Sequence, residues 1–176
     1  EVEILNYKKS IDVRSNIISV INVINNKISV NKFDYQEGKN SISIKGLKLD
    51  KNKNFKELKS VVVKTHDNEK ENNDFSLFFS DKILIKGKKF DASKIVNLIN
   101  SKFKKNYFKK IDKEIAVDLK NVFIENMDQL NNFNLYGKFK NGKFTKILGK
   151  GEFYENKYLD ISLKKDPNSD KKILEI

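Results

Sequence analysis

The sequence predicts a mainly β fold: an antiparallel meander forming a curved sheet, open and trough-like as one outcome, with one amphipathic helix near 91–103. Two observations predict the sheet. Apolar and polar residues alternate with period two from one end of the chain to the other, and turn residues interrupt that alternation roughly every 8 to 15 positions. The helix rests on a third, since Ala92, Ile95, Val96, Ile99 and Phe103 recur at helical spacing, with Asp91 placed to cap the first turn.

Taken in order, Ile17 to Ile24 reads as a strand, Asn25-Asn26-Lys27 as a tight turn and Ile28 to Tyr35 as the returning strand. A second turn falls at Gln36 to Asn40 around Gly38. Ile42 and Ile44 then share one face, and Leu47 and Leu49 continue the apolar pattern in the opposite phase after Gly46, where a β-bulge is expected. Phe55 to Thr65 contains the apolar run Val61-Val62-Val63, and His66 to Asn73 reads as a polar loop. Phe75, Leu77 and Phe79 alternate with Ser76, Phe78 and Ser80, and Ile83 and Ile85 form a short strand before Gly87.

Beyond the helix, Lys104 to Lys110 is basic with Tyr107 and Phe108 set into it. Ile115, Val117 and Leu119 resume the alternation, the phase shifts to Val122 and Ile124, and Phe133, Leu135 and Phe139 follow. Asn141-Gly142 is a strong two-residue hairpin signal. Phe144 to Tyr154 and Lys157 to Lys165 make a final pair, with a further strand starting near Ile173. Residues 1–176 are therefore expected to be a single β-rich segment, subdivided at the helix into strands over 1–90, helix and basic stretch over 91–110, and strands over 111–176. A sheet with one apolar face must cover that face, either by folding on itself as a sandwich or barrel or by curling around an apolar ligand. Alternation alone does not separate the two.

Composition narrows the function. The hydrophobic content of 38% and the 13 phenylalanines argue for a folded chain. The formal charge of +12 suggests an anionic partner, and a basic nucleic-acid-binding module is one reading of it. Arg14 is nevertheless the sole arginine, whereas arginine's planar fork is the preferred group for phosphate and base recognition. Abundant lysine, asparagine and isoleucine together match an AT-biased genome, so no nucleic-acid partner is expected. The absence of cysteine excludes disulfides, thiolate metal sites and cysteine nucleophiles. The chain begins at Glu1 without an apolar leader and holds no run near the roughly 20 apolar residues of a spanning helix, so any membrane anchor is expected outside this segment.

Few residues suggest chemistry. His66 is the sole histidine and lies in a polar stretch with no serine motif beside it. Asp67, Glu69, Glu71 and Asp74 crowd the same stretch without the glycine turn and spacing of a calcium loop. Gly149 and Gly151 lack phosphate-loop spacing and read instead as close strand packing or a bulge. No cofactor, metal, small-molecule substrate or catalytic residue is expected. The basic aromatic patch is the one plausible contact for an anionic surface: Lys102, Lys104 and Lys105 would meet headgroups while Tyr107 and Phe108 sit at the interface. The same patch also fits a helix end whose lysines complement the dipole.

Gly87-Lys88-Lys89-Phe90-Asp91-Ala92-Ser93, followed by an apolar helix and the strand Ile115-Ala116-Val117-Asp118-Leu119, resembles the G-x-x-F-D segment of AsmA-like proteins of the YhdP type. Leu130, Asn131, Phe133 and Leu135, the Gly142 turn and the Gly151 strand resemble that family's repeated strand pairs, so the resemblance covers roughly Ile42 to Leu163. It implies a non-enzymatic, periplasmic protein, anchored to the inner membrane through a segment not present here, whose trough carries phospholipid between inner and outer membranes. On that reading Ile42, Ile44, Ile115, Val117, Leu119, Phe133 and Leu135 contact acyl chains. Each CH₂ so shielded from water is worth about 0.8 kcal/mol. The competing expectation from the residues alone is a structural or protein-binding β domain with an ordinary closed core.

Overall fold

The computed structural model describes residues 2–94, 111–124, 129–141, 143–154, 157–166 and 172–176. After a 3-10 turn at Glu3–Leu5 come β1 (Ser15–Ile24), β2 (Lys27–Glu37), β3 (Asn40–Leu49), β4 (Phe55–Glu57), β5 (Ser60–Asp67) and β6 (Lys70–Phe79). Then follow β7 (Lys82–Asp91), β8 (Lys113–Phe123), β9 (Gln129–Lys140), β10 (Lys143–Glu152), β11 (Tyr158–Lys165) and β12 (Lys172–Glu175). All twelve belong to one open sheet in the order β1-β2-β3-β5-β6-β7-β8-β9-β10-β11-β12, with β4 paired to β3 off that path. The expected mainly β fold is therefore what forms, and the sheet does not close into a barrel.

Local chemistry fixes the tight hairpins. Asn25 and Asn26 have φ of 49° and 60°, and Asn68 and Glu69 have φ of 46° and 68°. Both central residues are left-handed, the backbone whose twist matches two antiparallel strands, and asparagine tolerates it well. The expected loop over His66 to Asn73 shrinks accordingly. Only Asn68 and Glu69 turn, and the polar residues on either side continue β5 and β6.

The meander is interrupted once. β7 and β8 run parallel, with Ile83 beside Ile115 and Ile85 beside Val117, whereas every other pair is antiparallel. Period-two alternation is identical for the two pairings, so sequence cannot distinguish them, and a parallel pair needs a long crossover. The helix expected near 91–103 falls in that stretch of the sequence. Residues 95–103 lie outside the described residues, while Asp91 closes β7 and Ala92 to Lys94 leave the sheet. Asp91 Oδ1 accepts the backbone N–H of Ser93 at 3.0 Å, an Asx turn that ends the strand.

β3 switches phase at Gly46, at φ 66°, without the bulge expected there: β2 switches with it, so the β2–β3 register is unbroken and Ile42, Ile44, Leu47 and Leu49 all pair with apolar residues of β2, namely Tyr35, Phe33, Val30 and Ile28. The register shift falls one strand over, where β1 skips Asn31 of β2. The register also shifts between Asp74 and Phe75 opposite β7 and between Lys150 and Glu152 opposite β9. These are the places where Gly87 and Gly151 sit. A side chain at Gly87 would collide with the Asp74 carbonyl and Phe75, and one at Gly151 would press on Leu130.

Candidate functional site: an apolar track on one sheet face

Directly paired residues share a face, so the registers trace that face across the sheet. One row runs Phe33, Ile44, Val61, Leu77, Ile85, Val117, Leu135, Gly149, Ile161, from β2 to β11. With strands ~4.8 Å apart, this row is roughly 40 Å long and holds no polar side chain. A neighbouring row, Tyr35, Ile42, Val63, Phe75, Gly87, Leu119, Phe133, lies beside it on the same face. All seven residues expected to meet acyl chains, Ile42, Ile44, Ile115, Val117, Leu119, Phe133 and Leu135, therefore project from one side of one sheet. Among the described residues, strand packing runs between sheet neighbours, and all the strands belong to one sheet.

The middle of the track is the best packed. Leu119, Val122 and Leu130 are 3 to 6% exposed and form a cluster with Phe75, Ile85, Phe90, Phe133 and Leu159 against it. Phe75 belongs to β6 and Leu159 to β11, so both reach β8 and β9 across an intervening strand. They do so where that strand presents Gly87 or Gly151. Contacts that skip a strand draw the sheet toward its apolar face, which gives the expected curvature a cause. Leu119 is thereby the floor of the track, whereas Ile44, Ile115, Val117, Phe133 and Leu135 remain half-buried.

One end of the track is covered from within the chain. Leu5 and Tyr7 pack on Val63, Tyr35, Ile42, Val61 and Phe75, so the N-terminal segment lies over the face at β2, β3, β5 and β6. Polar side chains on the apolar side receive it. The Tyr7 hydroxyl donates to Glu37 Oε2, Tyr35 donates to the same oxygen at 3.0 Å, and the Ser10 N–H donates to Glu37 Oε1 at 2.9 Å. Asn73 Nδ2 donates to the Leu5 carbonyl at 2.6 Å and to Thr65 Oγ1 at 2.9 Å, and Asn6 Nδ2 donates to Asp91 Oδ2 at 3.0 Å. Glu37, Thr65 and Asn73 are at most 2% exposed.

Burial alone would raise the Glu37 carboxyl, but the Tyr7 and Tyr35 hydroxyls, the Ser10 N–H and nearby Lys9 outweigh it and hold the group below the usual carboxylate range. Asp91 is likewise lowered, burial being overcome by Ser93, Asn6 and Asn72. Tyr7 is pushed up, by burial first and then by Glu37. Sequence reasoning missed this latch. Its signal was present, because Glu37, Thr65 and Asn73 are polar residues standing in phase with Tyr35, Val63 and Phe75.

The opposite face is ionic. Lys64 pairs with Glu71 at 3.2 Å, Lys138 with Glu114 at 3.2 Å and Lys150 with Asp160 at 3.5 Å, each across neighbouring strands. In these pairs lysines alternate with carboxylates across neighbouring strands. His66 holds Asn40 through its backbone N–H at 2.8 Å, with a ring nitrogen 3.2 Å from the same oxygen. Among the described residues no group of three or more His, Asp or Glu is placed to hold a metal ion, and no helix is long and apolar enough to cross a membrane. Lys102, Lys104, Lys105, Tyr107 and Phe108, expected at a headgroup surface, lie outside the described residues.

The fold and face define a class: the described strands form one open β-sheet with one apolar and one ionic surface. No family model, curated protein or solved structure matches the chain.

Proposed function

We propose that this chain is a segment of an AsmA-like, YhdP-type envelope protein, in which the apolar track shields phospholipid acyl chains passing between the inner and outer membranes. The observation that carries the reading is the uninterrupted apolar row from Phe33 to Ile161, over which the described residues lay no second sheet and whose β2 to β6 end lies under the N-terminal segment. Such a row removes CH₂ groups from water without specific bonds, at about 0.8 kcal/mol each, while headgroups stay in solvent beyond the rim. Sequence supports the reading independently through the segment Gly87 to Ser93. The protein works in the periplasm, held to the inner membrane by a part of the parent chain outside this segment, and it performs no catalysis.

The test is a photocrosslinking amino acid placed at Ile44 or Val117 on the apolar face and at Ser43 or Asp118 on the ionic face. Phospholipid captured in cells at Ile44 and Val117, but not at Ser43 or Asp118, is the expected outcome. Equal capture on both faces, or protein adducts alone at the apolar positions, would return the chain to the reading of a protein-binding sheet.

A further inference from the structure

The edge strand β1 differs from every other part of the molecule. Its sequence Ser-Asn-Ile-Ile-Ser-Val-Ile-Asn-Val-Ile contains no charge, proline or glycine, in a chain of which 34% is charged. Ile17, Ile18, Val20, Ile21, Val23 and Ile24 are 48 to 68% exposed and occupy both faces. Folded proteins ordinarily guard such an edge with lysine, proline or a bulge, because its free N–H and C=O groups template another strand. The register shift in this hairpin lies on the β2 side, at Asn31, which is skipped between Lys32 and Val30 while β1 runs on unbroken.

We infer that β1 pairs antiparallel with β1 of a second copy, about a two-fold axis passing through Ser19. A two-fold perpendicular to a sheet keeps each face on its own side, so opposed residues must have numbers whose sum is even. The sum 38 sets Ser19 against Ser19, Ile18 against Val20, Ile17 against Ile21 and Asn16 against Asn22. Apolar meets apolar and amide meets amide. A sum of 36 instead opposes Asn16 to Val20 and Ile17 to Ser19, and a sum of 40 opposes Ile18 to Asn22 and Ser19 to Ile21. Among registers that keep the faces together, the sum 38 gives the longest matched run, Asn16 to Asn22, with Ser15 opposite Val23 beyond it, whereas the sum 44, centred on Asn22, matches only Val20 to Ile24.

Pairing satisfies the free backbone N–H and C=O groups of both edges and covers the flanks of twelve apolar side chains, each about half open. The net charge of +12 on each copy opposes association, but none of it lies on β1, so salt screening strengthens the pair. The dimer joins two apolar faces on the same side of one continuous sheet. This inference does not depend on the lipid reading, and its test contains no lipid.

Sedimentation equilibrium of the whole chain is expected to give a monomer–dimer equilibrium whose dimer fraction rises with salt. Because the natural chain has no cysteine, Ser19→Cys, Ile18→Cys and Val20→Cys are single reporters. Ser19→Cys is expected to form an intermolecular disulfide at least tenfold faster than the other two under mild oxidation. Val20→Lys, on an exposed position, is expected to remain monomeric with an unchanged circular dichroism spectrum. A monomer at all concentrations, an open-ended series of oligomers, or faster crosslinking at residue 18 or 20 than at 19 would overturn the inference.

Discussion

Glu37 concentrates the chemistry of the latch in one side chain. Its carboxylate is 2% exposed and accepts hydrogen bonds from two tyrosines and a backbone N–H. Hydrogen bonds to a charged group contribute about 1.5–3 kcal/mol each, and losing a partner leaves the rest desolvated. Glu37→Gln is expected to cost about 2–3 kcal/mol at pH 7, measured by urea denaturation. Since the folded-state pKa values of Glu37 and Asp91 are lowered, their contribution is present above the unfolded values of about 4 and is lost as pH falls through the folded ones. Stability should decline below about pH 4.5, less steeply in Glu37→Gln. Tyr7 has the opposite sign: its folded pKa is raised, so its contribution is intact below about pH 10 and declines only above it. Gly87 is a second residue-scale constraint, and Gly87→Ala, pressed against the Asp74 carbonyl and Phe75, should cost about 2–3 kcal/mol in the same measurement.

The strands themselves were legible, because alternation records which residues share a face whatever lies above it. Gly151 reads as close strand packing or a bulge, and the register shifts beside it, whereas the bulge expected at Gly46 does not form, because β2 changes phase together with β3. What escaped was long-range. Asn6 meets Asp91 across 85 positions, and nothing local in either residue announces the partner. The parallel pairing of β7 with β8 escaped because Ile83, Ile85, Ile115 and Val117 alternate alike in either direction. The N-terminal segment is the element where these blind spots meet. Leu5→Ala should loosen it, costing about 2–3 kcal/mol and exposing Val61, Val63 and Ile42, with greater binding of an environment-sensitive apolar dye as the direct readout.

At the scale of the whole molecule, two faces of opposite chemistry share one sheet. The ionic face contributes little to stability, since exposed pairs such as Lys138–Glu114 and Lys150–Asp160 gain little over their hydration and are screened by salt. Raising salt to about 0.5 M should therefore leave the urea midpoint nearly unchanged. The apolar face should respond to a charge instead. Val117→Asp is expected to weaken binding of a fluorescent fatty acid at least tenfold with the fold retained by circular dichroism, whereas Asp118→Ala, one residue away on the ionic face, should not. Openness was the molecular property least legible in the sequence, because Ile44 and Val117 would be written identically in a closed core.

Each strand of the path pairs with its predecessor or, past the short β4, with the nearest one before it, in parallel at β7 and β8 and antiparallel elsewhere. A ladder wired in this way can be lengthened without being rewired. Inserting one hairpin extends the track by two strand spacings, roughly 10 Å, and leaves every existing register intact. Length is then a variable that duplication can tune in small steps while the local sequence pattern stays the same.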